Sequence, residues 1–231
     1  MENCYSLEMD PHENEPSSSD LTFVGGSPRL PANVKLPVCA LCGRLQTFFF
    51  QIAFPPDHPW QGLTFAVFSC MDCCDRKYLL PPILSGRLQG AAIPPGFLTE
   101  SQTNYKFVIF ETAAGFRRVE YAPRVKFSRL FLKPQRIDYI DASKVGGGPN
   151  WLIDNETPKS CGPDEMFFLL QLKQGLRFPL VPNAPRQIQL GRTGKTQPSP
   201  HDFYQLFLSY NVYMFGVKNR ENPGVYVVTQ I

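Results

Sequence analysis

The chain has 231 residues, enough for one large domain or two small ones with a substantial core. Phe and Pro are abundant, with 19 and 23 residues, which favours strands and irregular connections over long helices. A hydrophobic content of 43% indicates a folded protein, and a formal net charge of +3 is too small to indicate a nucleic-acid or membrane partner.

The first twenty residues differ from the rest of the chain in charge. They contain six acidic residues and no Lys or Arg. They lack the basic and apolar regions of a signal peptide, and no apolar run reaches the ~18 residues that a membrane span needs, so we expect a cytoplasmic protein. The acidic, proline-punctuated composition predicts a mobile arm over residues 1–20, ahead of a single domain over residues 21–231.

The spacing of the cysteines is the strongest chemical signal in the sequence. Cys39 and Cys42 form one CxxC pair, and Cys70 and Cys73 form a second. Disulfides are rare in a reducing compartment, and two CxxC turns supply the four thiolates that a tetrahedral zinc ion takes. The sequence therefore predicts one structural zinc ion, with Cys74 as the substitute ligand if the turn disfavours Cys73.

The segment between the two pairs explains how they could meet. Residues 45–54 and 62–69 have the composition of strands, and a proline-rich, turn-like connection joins them. In an antiparallel hairpin the start of the first strand lies beside the end of the second, so both CxxC pairs fall at one end. Inert buried cysteines remain the alternative. A redox CxxC is disfavoured because no βαβ pattern surrounds either pair.

The sequence contains incomplete versions of two catalytic motifs. Zinc deaminases need Pro directly before a CxxC, whereas Val38 separates Pro37 from Cys39. Their HxE motif is also broken, since the HENE segment has Asn14 where Glu is required. Four Cys ligands would leave no open position for an activated water. The GKT at residues 194–196 lacks the earlier Gly of a phosphate-binding loop. The sequence therefore predicts that the protein is not an enzyme.

The remainder of the chain predicts strands and no long amphipathic helix. The predicted strands cover residues 104–112, 186–191, 203–209, 212–217 and 224–231. Cys161 stands alone without a nearby His, which favours a structural cysteine over a nucleophile. The polar, proline-rich residues 192–200 are expected to be mobile.

Two short strings occur twice in the chain. VGGSP at residues 24–28 matches VGGGP at residues 145–149, and FFFQI at residues 48–52 matches FLLQL at residues 168–172. Matches at nearly the same spacing predict two related halves that arose by internal duplication. Only the first half carries the paired cysteines.

The same strings resemble two known families. The KVGGxPxW string, the cysteine-bearing turn and the FLLQL strand resemble the bacterial YwqG-like family over about residues 20–231. The string CALCGRLQTFFFQ and the cysteine cluster after the next strand also resemble the programmed cell death 2 proteins. In the first half Phe23 replaces the Lys, and no Trp follows Pro28. The resemblance implies an α+β, strongly β-rich fold whose two pseudo-symmetric halves, about 21–120 and about 140–231, share one core.

Some YwqG-like proteins are immunity proteins, and this chain looks most like those that guard against GHH-motif DNase effectors of type VI secretion. The resemblance implies a protein that binds one toxin in a 1:1 complex and occludes its active site, with no direct contact to nucleic acid or membrane. The carboxylates of the arm suit a basic nuclease groove and are the candidate partner-binding residues: Glu8, Asp10, Glu13, Glu15 and Asp20. Two alternatives stay open. The arm could be only a solubilising tail, and the chain could be a zinc-bearing chaperone or adaptor for a basic protein such as a ribosomal protein.

Overall fold

The fold is dominated by β-structure. The computed structural model describes residues 4–10, 12, 15–86, 88–137 and 139–231. Strands make up 37% and helices 6%, and most strands join one large mixed sheet, so the strongly β-rich fold expected from the sequence is confirmed. No helix in these ranges is long and apolar enough to cross a membrane.

The strands and short helices follow one another in this order. The strands up to residue 120 are β1 (Cys4–Met9), β2 (Phe23–Val24), β3 (Arg29–Leu30), β4 (Thr47–Ala53), β5 (Leu63–Ser69), β6 (Ala92–Ile93), β7 (Tyr105–Glu111) and β8 (Phe116–Arg117). The later strands are β9 (Ser128–Pro134), β10 (Lys144–Gly146), β11 (Ser160–Cys161), β12 (Asp164–Leu172), β13 (Phe178–Pro179), β14 (Ile188–Leu190), β15 (Thr196–Pro198), β16 (Phe203–Tyr204), β17 (Asn211–Val217) and β18 (Val225–Gln230). The described residues also form a short helix α1 (Phe97–Glu100) and 3-10 turns at Arg76–Tyr78, Thr112–Ala114 and Leu206–Ser209.

The large sheet is symmetric about its centre. Within the described residues its main path runs β18-β17-β12-β10-β1-β9-β2-β4-β5-β7, with β11 and β6 attached to one side of β12. Outward from the central pair β1 and β9, each step adds one strand from each half: β10 and β2, then β12 and β4, then β17 and β5, then β18 and β7. All neighbours on this path are antiparallel. The two halves therefore have the same strand order.

The repeated strings occupy equivalent positions in this sheet. Phe23 pairs with Gln51 between β2 and β4, and Lys144 pairs with Gln171 between β10 and β12. The pairing of β4 with β5 shifts its register after Phe48, the first residue of FFFQI. The pairing of β12 with β17 shifts its register after Phe168, the first residue of FLLQL. The shared glutamine thus has the same place in both halves.

The side chain of the shared glutamine connects the residues before and after each glycine pair. The buried side chain of Gln51 accepts a hydrogen bond from the Arg29 backbone N–H at 2.9 Å and donates to the Leu21 carbonyl at 2.9 Å. The buried side chain of Gln171 accepts from the Asn150 N–H at 2.9 Å and donates to the Ile140 carbonyl at 2.8 Å. A buried amide that bonds two backbone groups explains why each apolar string contains a polar residue.

The expectation that residues 1–20 form a loosely attached arm is wrong for Cys4–Met9. These residues form β1, which lies at the centre of the sheet between β9 and β10. Tyr5 is buried and Leu7 packs against the main core, while the side chain of Glu8 points to the exposed side. The alternation of apolar and polar residues is that of a half-buried strand, and the acidic charges obscured it in the sequence.

One hydrophobic core spans both halves. Phe49 and Phe50 of β4 pack in the same cluster as Leu169 and Leu170 of β12. The indole N–H of Trp60, in the connection between β4 and β5, donates to the backbone carbonyl of Val217 in β17 at 3.0 Å. The halves therefore share their interior, and neither is an independent packing unit.

Two of the predicted segments differ from the structure. Residues 203–209 are not one strand, because β16 ends at Tyr204 and a tight turn follows over Leu206–Ser209. The GKT segment lies at the turn between the half-buried β14 and the exposed β15, which pair with each other, so part of residues 192–200 is hydrogen-bonded hairpin. The remaining predicted strands agree with observed ones to within about two residues at each end.

Candidate metal centre

The first CxxC pair lies in a tight turn just before β4. The Cys39 backbone N–H donates to the Arg44 carbonyl at 2.9 Å, and the Gly43 N–H donates to the Cys39 carbonyl at 2.9 Å. Gly43 has φ +70°, a left-handed conformation that glycine adopts without strain. The turn places the side chains of Cys39 and Cys42 on one side of the loop, facing the second pair.

The second pair follows β5 and is fixed by a buried aspartate. Asp72 lies between Cys70 and Cys73, and its backbone N–H donates to the Cys70 sulfur. Its carboxylate accepts from Arg124 Nη1 at 2.6 Å and lies 3.6 Å from Arg44 Nη1. Because Arg44 belongs to the first turn, this ion pair connects the two turns directly.

The hairpin and a third segment bring the two pairs together. Thr47 of β4 pairs with Ser69 of β5 at the end of the ladder next to both turns. The Ala40 N–H donates to the Thr103 carbonyl at 2.9 Å, and the Cys70 N–H donates to the Asn104 carbonyl at 2.7 Å. The segment before β7 therefore holds both turns in place.

Three of the six pairs of sulfurs have the separation of ligands in a tetrahedral site. The Sγ atoms of Cys39 and Cys73 are 3.8 Å apart, those of Cys42 and Cys70 are 3.6 Å apart, and those of Cys70 and Cys73 are 3.5 Å apart. All four lie within 4.8 Å of one another. Zinc–sulfur bonds of about 2.3 Å place tetrahedral ligands roughly 3.8 Å apart, whereas a disulfide needs about 2.05 Å. The cluster is compatible with a zinc site and not with two disulfides.

The protonation of these thiols depends strongly on their surroundings. Burial raises the pKa of Cys70 to about 12, and burial together with the neighbouring Cys70 raises the pKa of Cys73. Burial also acts to raise the pKa of Cys42, but a hydrogen bond from the Arg44 backbone N–H and contacts with the other sulfurs bring it below its usual value. A bound cation would favour thiolates at these positions because it compensates their charge.

The structure separates Cys73 from Cys74. Cys74 is half-buried outside the cluster, and its sulfur accepts a hydrogen bond from the backbone N–H of Leu190. The four residues that cluster are therefore the four predicted as ligands, and Cys74 lies outside the cluster. Cys161 lies apart in β11, where burial raises its thiol pKa. Among the described residues this cluster is the one group of three or more potential metal ligands close enough to share an ion.

The predicted partner-binding carboxylates do not form one free acidic surface. Glu8 pairs with Lys133 across the central ladder, and Asp20 Oδ1 accepts from Arg129 Nε at 2.8 Å. These contacts lower the pKa of Glu8 and, against the effect of burial, that of Asp20. Arg129 and Lys133 of β9 thus compensate part of the negative charge of the acidic segment. Asp10 Oδ1 accepts from the His12 backbone N–H, Glu15 is exposed, and Glu13 lies outside the described residues.

A cavity and a strained turn lie next to the cluster, and the sequence predicted neither. The cavity has a volume of about 220 Å³ and is lined in part by Cys70, Cys73 and Cys74. Phe207 and Leu208, which also line it, have φ +47° and +58°, and Ser209 follows with φ +57°. Successive left-handed non-glycine residues are costly, and no local sequence pattern signals them.

Comparison with known proteins gives no assignment. No family model matches the chain, and neither a curated protein nor a solved structure matches it. The chemistry of the site therefore has to be inferred from its own geometry. Four converging thiols at the end of a hairpin are suited to holding a soft metal ion.

Proposed function

We propose that this chain is a non-catalytic immunity protein that binds and inhibits a bacterial toxin, and that a structural zinc ion held by Cys39, Cys42, Cys70 and Cys73 stabilises it. The observation that carries the metal assignment is the close approach of the four sulfurs, three pairs of which have tetrahedral spacing. Four thiolates fill the coordination sphere of zinc and leave no position for a substrate or an activated water. Such an ion stabilises the fold and performs no reaction.

The zinc assignment has a direct test with a matched control. Protein purified without chelator is expected to contain one zinc per chain by elemental analysis. Cys73→Ser should lose most of the metal and melt at a lower temperature, because the ion loses a ligand. Cys74→Ser, at the adjacent half-buried cysteine outside the cluster, should keep both the metal and the melting temperature.

Two results would contradict the zinc assignment. One is wild-type protein that contains no metal when prepared without chelator. The other is equal metal content in Cys73→Ser and Cys74→Ser, which would mean that the cluster of sulfurs is not what binds the ion. A bound metal other than zinc, with the same dependence on the four cysteines, would correct only the identity of the ion.

The inhibitory role is supported by the family resemblance of the glycine-rich and FLLQL strings. An immunity protein must keep free toxin below a lethal level, which requires binding at about nanomolar affinity, roughly −12 kcal/mol. Such affinity comes from a few buried anchors, with charged residues steering the encounter. Within the acidic segment, Glu15 is the better candidate for steering a basic partner because its side chain is exposed. Glu8 and Asp20 already form ion pairs within the chain.

The test of function uses the gene neighbourhood. The product of the adjacent gene is expressed alone and together with this chain, and survival of the cells is measured. We expect the neighbouring product to be toxic alone and harmless in co-expression, with a 1:1 complex on size-exclusion chromatography. A neighbouring product that is not toxic, or that does not bind, would reject this function and favour the chaperone or adaptor for a basic protein.

A further inference from the structure

The last strand of the large sheet has an open edge. β7 pairs with β5 along its whole length, and no strand of the described chain pairs with its other side. The backbone N–H of Phe107 points to this open side, where the Gln102 side chain accepts its hydrogen bond at 2.8 Å. Backbone groups alternate along a strand, so those of Ile109 point the same way, and no described residue bonds to them. The edge is therefore a template for another strand.

A groove runs along this open edge. It has a volume of about 630 Å³ and lies between β7 and the extended segment 34–38. Its apolar lining includes Leu36, Val108 and Ile109. An apolar surface of this kind, next to unpaired backbone groups, fits the alternate side chains of an extended peptide.

The charges of the groove have a single sign. Lys35 and Lys106 line it, and no acidic residue does so among those described. Neither lysine forms an ion pair within the described chain. A second copy docking through the same edge would bring these lysines against their equivalents, so the charge disfavours a symmetric dimer and favours an acidic partner.

A buried polar group also lines the groove without a partner. Gln46 is 2% exposed, and its Oε1 atom accepts no hydrogen bond in the described structure. Buried side-chain oxygens almost always have a donor. A docked segment could supply one only if the Gln46 side chain turned toward the groove, because the oxygen has no exposed surface where it lies.

The strands at the two ends of the sheet differ in how well one of their faces is covered. The outer face of β18, the strand equivalent to β7, carries Tyr226 and Val228 in a cluster with Ile93 and Leu98. On β7 the corresponding Val108 is only half-buried. Both end strands pair with a single neighbour in the described structure, so the difference between them is the poorer cover of this face of β7.

We infer that this groove binds an extended, acidic segment of a partner protein, which adds to β7 as a further antiparallel or parallel strand. Its acidic side chains would lie near Lys35 and Lys106. The inference goes beyond the proposed function, since it holds for any partner that offers such a segment, toxin or not.

The experiment uses a fluorescent, end-blocked peptide of alternating Val and Glu, with a peptide of alternating Val and Lys as its counterpart. Binding to the full-length protein is followed by fluorescence anisotropy. We expect saturable binding of the acidic peptide and at least about tenfold weaker binding of the basic one. The variant Lys35→Glu/Lys106→Glu should reverse this preference. Lys195→Glu, an exposed lysine outside the groove, should leave the preference unchanged.

A second variant tests the pairing itself. Ile109→Pro removes an N–H on the open side and leaves the bonds to β5, so peptide affinity should fall about tenfold, and the melting temperature should fall only as far as the lost packing of the Ile109 side chain against the core requires. Failure of the acidic peptide to bind, equal binding of both peptides, or unchanged affinity in Lys35→Glu/Lys106→Glu and in Ile109→Pro would each overturn the inference. None of these results depends on whether a neighbouring gene product is toxic.

Discussion

His58 shows how one buried side chain makes the stability of this fold depend on pH. Its ring stacks on Phe54 with centroids 4.3 Å apart, and its Nδ1 accepts from the Trp60 backbone N–H at 3.1 Å. Nε2 has no partner among the described residues. Burial lowers the pKa of His58 from 6.5 to about 4, with a smaller opposing effect of Asp57. The ring is therefore neutral in the folded protein near pH 7.

The free energy of unfolding should fall as the pH drops from 6.5 to about 4. In that window the unfolded chain binds a proton at His58 and the folded chain does not, so protonation favours unfolding. Below about pH 4 both states are protonated and the effect is complete, at about 3 kcal/mol. Denaturant unfolding at several pH values should show this loss in the wild type and a smaller loss in His58→Asn.

The asparagine keeps an acceptor for the Trp60 N–H and removes the titrating ring. His201→Asn, at an exposed histidine, is the matched control and should follow the wild type. A His58→Asn profile parallel to that of the wild type would show that His58 is not the group responsible.

At the scale of the elements, the two halves use the same local device. Each glycine pair makes a sharp bend after a short strand, and the glutamine of the following long strand closes the bend with two hydrogen bonds. Gly25 illustrates the constraint, because a Cβ atom there would lie 2.2 Å from the Lys126 carbonyl oxygen. A short strand, a bend and a clamping amide thus form one unit that occurs twice.

Replacing either glutamine should destabilise the protein by a similar amount. Gln51→Leu and Gln171→Leu each leave one half-buried backbone N–H without its acceptor, at a cost of about 1–3 kcal/mol. Gln51→Leu also removes the donor to the Leu21 carbonyl, whereas the Ile140 carbonyl keeps the Ala142 N–H at 2.9 Å. We expect a loss of about 1–3 kcal/mol in each variant by chemical denaturation. Gln197→Leu, at an exposed position of β15, should cost less than about 0.5 kcal/mol. A large difference between the first two variants would show that the clamps are not equivalent.

At the scale of the whole molecule, the halves exchange their first strands. β1 precedes the first half in the chain but pairs with β10 of the second, and β9 precedes the second half but pairs with β2 of the first. β1 and β9 also pair with each other. The sheet is continuous only because of these two strands, so we expect the chain to unfold in one cooperative transition.

Ser6→Pro tests the role of β1. Ser6 pairs with Lys144 on one side and Lys133 on the other, so proline removes a ladder hydrogen bond inside the sheet and restricts φ. We expect a loss of at least about 3 kcal/mol or failure to fold, measured by circular dichroism and thermal unfolding. Ile109→Pro, on the open edge of β7, is the control. Equal melting temperatures for the two variants would contradict the central role of β1.

The sequence predicts what depends on local pattern and spacing. The strands of the β4–β5 hairpin are apolar and short, and two CxxC pairs at its ends are enough to place four sulfurs together. Cys73 lies in the cluster, whereas Cys74 contacts Leu190, more than a hundred residues away, and no local pattern reveals that contact. The place of β1 is a long-range pairing of an acidic segment, and the left-handed turn at Phe207 is held by its surroundings.

The exchange of first strands has a consequence for synthesis on the ribosome. β1 leaves the ribosome well before its partners β9 and β10, which lie in residues 128–146 and emerge only after the other strands of the first half have been made. Until then β1 has no strand to pair with, and the first half lacks the strand that flanks β2. Native pairings between distant parts of a chain form slowly. β1 is therefore synthesised before the whole first half but can pair only after it.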